Sequence, residues 1–257
     1  MNDDLHITLF QQDIVWAAPE ANRLRAAEAL SDIPSGTDIF VLPETFTTGF
    51  GDHMASLAEP ADGPTLHWAR RQAALHNVLL VGTWIVRVGD RCFNRLHWVL
   101  PDGSCGHYDK AHTFRPSGEH EQISCGVERP VFTYKGWRIR PAVCYDLRFP
   151  KWLRNDGLAH SLQPSSAAPY DLLLVCANWP ASRREAWSTL LKARAIENLC
   201  FVAGCNRTGV DGVGGLYSGD SAVIDYKGFA MPSLSAALNR DALDAFRRKW
   251  PIYLDFD

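Results

Sequence analysis

The chain has 257 residues, 46% of them hydrophobic and 21% charged, and a formal net charge of −3. That length can bury a full core, and without a basic tract the balance gives no support to nucleic acid or an anionic membrane as partner. No run of roughly 18 apolar residues is present to span a bilayer, and the acidic start Met1-Asn2-Asp3-Asp4 lacks the apolar core of a secretion signal, so a cytoplasmic protein is expected.

In chain order, His6 to Phe10 reads as a strand and Pro19 to Leu30 as a helix, with Pro19 in the first turn where an N–H is not needed. Asp38 to Leu42 is a short buried strand running into Pro43-Glu44. Pro64 to His76 carries Leu66, Ala69 and Ala73 at helical spacing. Val78 to Val86 and Cys92 to Leu100 flank Gly89-Asp90 as one hairpin; Val131 to Tyr134 and Trp137 to Val143 flank Lys135-Gly136 as another. Phe149 to Asn155 reads as a short helix. The Ser-, Ala- and Pro-rich stretch from Asp156 to Tyr170 reads as an exposed loop. Asp171 to Cys176 is an apolar run suited to a strand buried on both faces. Ser182 and Glu185 have capping-box spacing and would open a helix reaching Asn198, with Trp187, Leu190 and Leu191 on one face. Leu199 to Cys205 and Ser221 to Tyr226 are the last clear strands. Hairpins mixed with β-α units predict an α/β chain with mixed sheets packed face to face, helices outside, in one domain over residues 1–257.

The seven cysteines are an odd number with no C-x-x-C pair, which argues against a disulfide framework. Cys144 stands apart from the rest. It ends the apolar segment Trp137 to Val143 and opens the polar run Cys144-Tyr145-Asp146-Leu147-Arg148. A thiol at a strand tip that opens a helical turn is well placed as a nucleophile, and a helix N-terminus there would lower its pKa. Two other strand ends supply groups it can use: Glu44 after Ile39-Phe40-Val41-Leu42-Pro43, and Lys110 after Tyr108-Asp109. Together they suit acyl transfer. The carboxylate takes the thiol proton, and the ammonium and the Tyr145 N–H stabilise the oxyanion. Taken singly, each of the three is as well explained as a surface or packing residue.

These three segments resemble the signature pieces of the nitrilase superfamily of carbon–nitrogen hydrolases, in Leu-Pro-Glu44-Thr-Phe, Tyr-Asp-Lys110 and Cys144-Tyr-Asp-Leu-Arg-Phe-Pro. The likeness continues through Cys176-Ala-Asn-Trp-Pro180, Lys192-Ala-Arg-Ala-Ile-Glu-Asn198 and Gly219-Asp-Ser221, in order over nearly the whole chain. It implies a four-layer α-β-β-α sandwich of two mixed, six-stranded-type sheets, a Glu44–Lys110–Cys144 triad and no cofactor. It also implies a second glutamate, which Glu119 fits with Gly126 after it and Glu121 as a close competitor, and a homodimer joined through residues 149–155 and 183–198. Within the family the text is most like bacterial omega-amidases, which release ammonia from small-molecule ω-amides of dicarboxylic acids such as 2-oxoglutaramate. The far carboxylate of such a substrate needs a cation; Arg115 and Arg183 are candidates, with His112 assisting and Phe46 and Trp179 as apolar wall. Arg148 is expected to brace the turn after the nucleophile through Asp146 or a carbonyl. The stretch 157–169 is longer than the likeness leads one to expect. A nitrilase or N-carbamoyl hydrolase would use the same triad. A Cys–His protease leaves Glu44 and Lys110 unexplained, and a binding module without turnover is the non-enzymatic alternative.

Overall fold

The computed structural model describes residues 4–155 and 170–255; the predicted 157–169 loop lies outside them. Along the chain run β1 (Leu5–Leu9), α1 (Pro19–Ser31), β2 (Ile39–Val41), β3 (Glu59–Pro60), α2 (Pro64–His76), β4 (Leu79–Val88), β5 (Arg91–Val99) and β6 (Cys105–Asp109). Then come α3 (Glu119–Gln122), β7 (Phe132–Tyr134), β8 (Trp137–Val143), β9 (Leu172–Ala177) and α4 (Arg184–Asn198). The chain continues with β10 (Phe201–Asn206), β11 (Thr208–Val210), β12 (Leu216–Ser218), β13 (Ala222–Ile224), β14 (Ser235–Leu238) and α5 (Arg240–Lys249).

Two mixed sheets carry the fold. One runs β14-β1-β2-β4-β5-β6 with β3 beside β4, the other β13-β10-β9-β8-β7, so among the described residues they hold seven and five strands where six-stranded types were expected. The strands β1, β2 and β4 pair in parallel, as do β8, β9 and β10, and hairpins close both sheets.

Alternation along the strands explains the layering. On β9, Leu172, Leu174 and Cys176 meet Ile7, Val41, Leu79 and Leu96 of the other sheet in the central core. Their neighbours Leu173, Val175 and Ala177 point the other way, onto Trp187, Leu191 and Ala195 of α4. On the far side, Phe40 and Leu80 pack against Ala26 and Leu30 of α1 and Leu66, Ala69 and Ala73 of α2. The result is α-β-β-α. No helix among the described residues is long and apolar enough to cross a membrane, and all seven cysteines are free thiols.

Three local readings change. Residues 149–155 form turns, not a helix; the helical turn is instead the short 3-10 segment Cys144–Arg148, and Phe149, restricted by Pro150, leaves it at φ −110° and ψ 86°. The Ser182–Glu185 capping box does not form: a 3-10 turn over Ala181–Arg183 precedes α4, whose N-cap is Arg183 with no side-chain cap. Helix α5 escaped detection because its buried face is partly ionic. Arg247 turns inward there to Asp171 at 2.7 Å and to the carbonyls of Leu199 and Tyr170.

Candidate active site

The ends of β2, β6 and β8 converge between the two sheets. Glu44 follows β2 in a tight bend in which Thr45 takes a φ of +41° and its N–H donates to Thr83 Oγ1 at 2.7 Å. Lys110 follows β6; its N–H donates to the Asn94 carbonyl at 3.0 Å, and its own carbonyl accepts from Gly126 N at 2.9 Å. A Cβ on Gly126 would stand 2.1 Å from the Asp109 carbonyl oxygen, so only glycine lets that segment lie against the lysine. Cys144 follows β8 directly with a φ of +43°, a strained conformation for a residue with a Cβ.

Three buried side chains form a compact charge cluster. Lys110 Nζ donates to Glu44 Oε1 at 2.9 Å and to Glu119 at 2.8 and 3.0 Å. Glu44 also accepts from Asn94 Nδ2 at 2.8 Å and from the Asn178 backbone N–H at 2.8 Å, while Glu119 accepts from Phe114 N at 2.5 Å. All three are at most 1% exposed. Glu121 is on the surface, so the second glutamate of the cluster is Glu119. The Cys144 thiol lies 3.8 Å from the Asn178 carbonyl oxygen.

Burial opposes the charge on Lys110, but Glu119 and Glu44 outweigh it and hold its pKa above the ordinary lysine value. Burial likewise raises Glu119, against the pull of Lys110. For Cys144 the expected lowering by a helix N-terminus is reversed. Burial and then the Glu44 charge push the thiol well above the usual range, and Lys110 offsets only part of this. A 3-10 turn of five residues offers little dipole to compete. The resting sulfur is thus a neutral thiol beside a carboxylate, an arrangement that favours proton transfer at the moment of attack.

Cys144, Lys110 and Glu119 open onto a cavity of about 430 Å³ walled by aromatic residues, among them Trp16, Phe50, Phe114, Tyr145, Trp179 and Tyr217. Two guanidinium groups reach it, Arg148 over the Trp179 ring at 4.9 Å and Arg183 over the Phe114 ring at 5.3 Å. Three predicted lining residues are elsewhere. Phe46 is fully buried in the core beside Trp68 and Trp84. Arg115 is exposed outside the cavity. His112 stacks on Phe149 and binds Asp146 through Nδ1 at 2.7 Å, so it braces the nucleophile turn.

Arg148 does not hold that turn. Asp146 is held by Val143 N, Tyr108 and His112, and the Leu147 carbonyl by Arg194, so Arg148 is left facing the cavity. Asn94 went unnoticed in the sequence, where its signal was an amide side chain within the strand-like run Cys92 to Leu100. Among the described residues no group of three or more His, Cys, Asp or Glu could hold a metal ion.

The carbon-nitrogen hydrolase family model matches residues 6–236. The omega-amidase YafV of Yersinia enterocolitica is 42% identical, over 98% of this chain and 97% of its own. A 2-oxoglutaramate amidase of Bacillus subtilis is 34% identical over 85% and 82%. Among solved structures, XC1258 of Xanthomonas campestris superposes with a TM-score of 0.93 at 44% identity, covering 99% of this chain and 97% of that one; it is a CN-hydrolase superfamily protein carrying an arsenic adduct in its active site.

Proposed function

This chain belongs to the carbon–nitrogen hydrolase family and is an amide hydrolase, and from that premise we propose that it cleaves the ω-amide of a dicarboxylic or 2-oxo dicarboxylic acid such as 2-oxoglutaramate. The observation that carries the catalytic reading is the buried Lys110 between two buried carboxylates, next to the strained Cys144 on the wall of an aromatic cavity.

The steps follow from the chemistry of these groups. Glu44 takes the Cys144 proton as sulfur attacks the amide carbon. The C=O electron pair moves onto oxygen, where the Lys110 ammonium and the Tyr145 N–H stabilise it. Collapse breaks the C–N bond, and protonated Glu44 delivers its proton to the leaving nitrogen, which departs as ammonia. The acyl group is now a thioester on Cys144. Glu44 next takes a proton from water, whose oxygen attacks the thioester carbon. The C–S bond breaks, the proton returns to sulfur and the free acid leaves. Glu119 stays on Lys110 throughout and orients it.

The substrate reading is supported by the relatives and by Arg183 and Arg148, the guanidinium groups in an otherwise aromatic wall. A guanidinium matches a carboxylate in shape and charge. Succinamate is therefore expected to be turned over with a kcat/KM about 10- to 100-fold above that of butyramide, an uncharged amide of the same length. Arg183→Ala should remove most of that preference. Equal rates for the two amides in an ammonia-release assay would end the ω-amide reading, and a faster nitrile or carbamoyl-amine would replace it.

We infer also that the chain works in the cytoplasm as a single-domain homodimer. The free cysteines suit a reducing compartment. On α4, Ile196 is 50% exposed and near the turn that carries Phe229, itself 69% exposed, an apolar patch suited to a second copy. Sedimentation equilibrium is expected to give twice the 28.7 kDa chain mass, and Ile196→Asp to weaken the pair; a wild-type monomer at all concentrations would rule it out.

A further inference from the structure

The two carboxylates of the site share one ammonium, and a second donor faces them. Asn94 is fully buried in β5, and its Nδ2 stands 2.8 Å from Glu44 Oε1 and 3.4 Å from Glu119 Oε1. Lys110 Nζ binds these same two oxygens, at 2.9 and 3.0 Å. Amide and ammonium thus bridge the pair side by side. The other end of the amide, Oδ1, is buried without a hydrogen-bond partner. A buried acceptor left unpaired is costly, and nothing local rewards that orientation except the carboxylates on the nitrogen side. Turned over, the amide would set Oδ1 against two anionic oxygens.

We propose that Asn94 is a positioning residue, which aims Glu44 at the Cys144 proton and, with Lys110, keeps Glu44 and Glu119 anionic side by side. The inference rests on the reading of Glu44 as proton acceptor. The titratable groups facing the pair are Lys110 at the end of β6, Cys144 at the end of β8 and Cys176 in β9, so Lys110 is the cation among them. Two close carboxylates with too few donors hold a proton between them. A proton already on Glu44 cannot be replaced by the one from the thiol, so the amide's dipole decides how far into the acid range the site works.

The test compares wild type, Asn94→Leu, Asn94→Ser and Glu44→Gln on succinamate across pH, with circular dichroism to confirm folding. Asn94→Leu is expected to lower kcat about 10- to 100-fold with KM little changed. It should also move the acid limb of kcat/KM up by about one pH unit, because carboxylates deprived of a donor keep their protons to higher pH. Asn94→Ser, which leaves room for a water to donate in place of the amide, should recover part of both effects. A kcat loss with the acid limb unmoved in both variants, or an unchanged kcat, overturns the proposal. Turnover surviving in Glu44→Gln is a different failure, which removes the reading beneath it.

Discussion

Glu44→Gln is expected to lower kcat by about a thousandfold while leaving the fold intact. Gln retains the size of the side chain and one acceptor oxygen, and Lys110 keeps both bonds to Glu119. What disappears is the group that accepts the Cys144 proton and returns it to the leaving nitrogen. The same substitution should have an opposite effect on the thiol. Glu44 is one cause of the high Cys144 pKa, second to burial. Without its charge the thiol ionises at lower pH, so the pH midpoint for alkylation by iodoacetamide should fall as turnover collapses. A catalytic cysteine activated by a histidine would show neither change. If the variant kept its kcat, or if the pH midpoint for alkylation of Cys144 did not fall, the Glu44–Cys144 partnership would be wrong.

Lys110→Met is expected to cost both turnover and stability. The ammonium is 1% exposed and is shared between Glu44 and Glu119. Removing one partner from a buried ionic cluster costs about 3–5 kcal/mol, because the remaining charges stay buried without compensation. In a chain of this size that corresponds to a fall of about 10 °C in Tm. The deficit should depend on pH in a definite direction. With the lysine gone, burial and Glu44 push Glu119 further up from the ordinary carboxylate value of 4.5. The folded variant then binds a proton that the unfolded chain has released, so its stability falls as pH rises above that value. Thermal melts should show a small deficit near about pH 5 and the full one near about pH 8. An equal deficit at both would mean that losing the lysine does not push Glu119 up. Oxyanion stabilisation is lost as well, so kcat should stay depressed by at least about a hundredfold at either pH.

Much of the architecture was legible because it follows from periodicity. The strands that bury both faces, such as Leu172–Ala177, are continuous apolar runs, and α2 was marked by Leu66, Ala69 and Ala73 at helical spacing. Elements with weak patterns were not legible. The ribbon β11–β12 is three residues a side, and α5 buries an arginine where a sequence reading looks for a leucine.

The site divides along the same line. Glu44, Lys110 and Cys144 each close a strand, and that local signal, joined to the family likeness, was enough to name them from residue order alone. Glu119 was preferred from residue order with Glu121 close behind it, and the coordinates separate the two, because two positions along α3 divide a buried carboxylate from an exposed one. The place of Arg194 at the nucleophile turn instead of Arg148, the loss of Phe46, Arg115 and His112 from the cavity, and the place of Asn94 all needed the coordinates. The sign of the Cys144 shift was also beyond the text. Sequence determined which groups stand at the ends of which strands, since alternation and turn chemistry are properties of neighbours along the chain. Only the packing of the two sheets decided which of those groups lose water, and in this site the lost water and the Glu44 charge together outweigh Lys110 in setting the charge state of the Cys144 thiol.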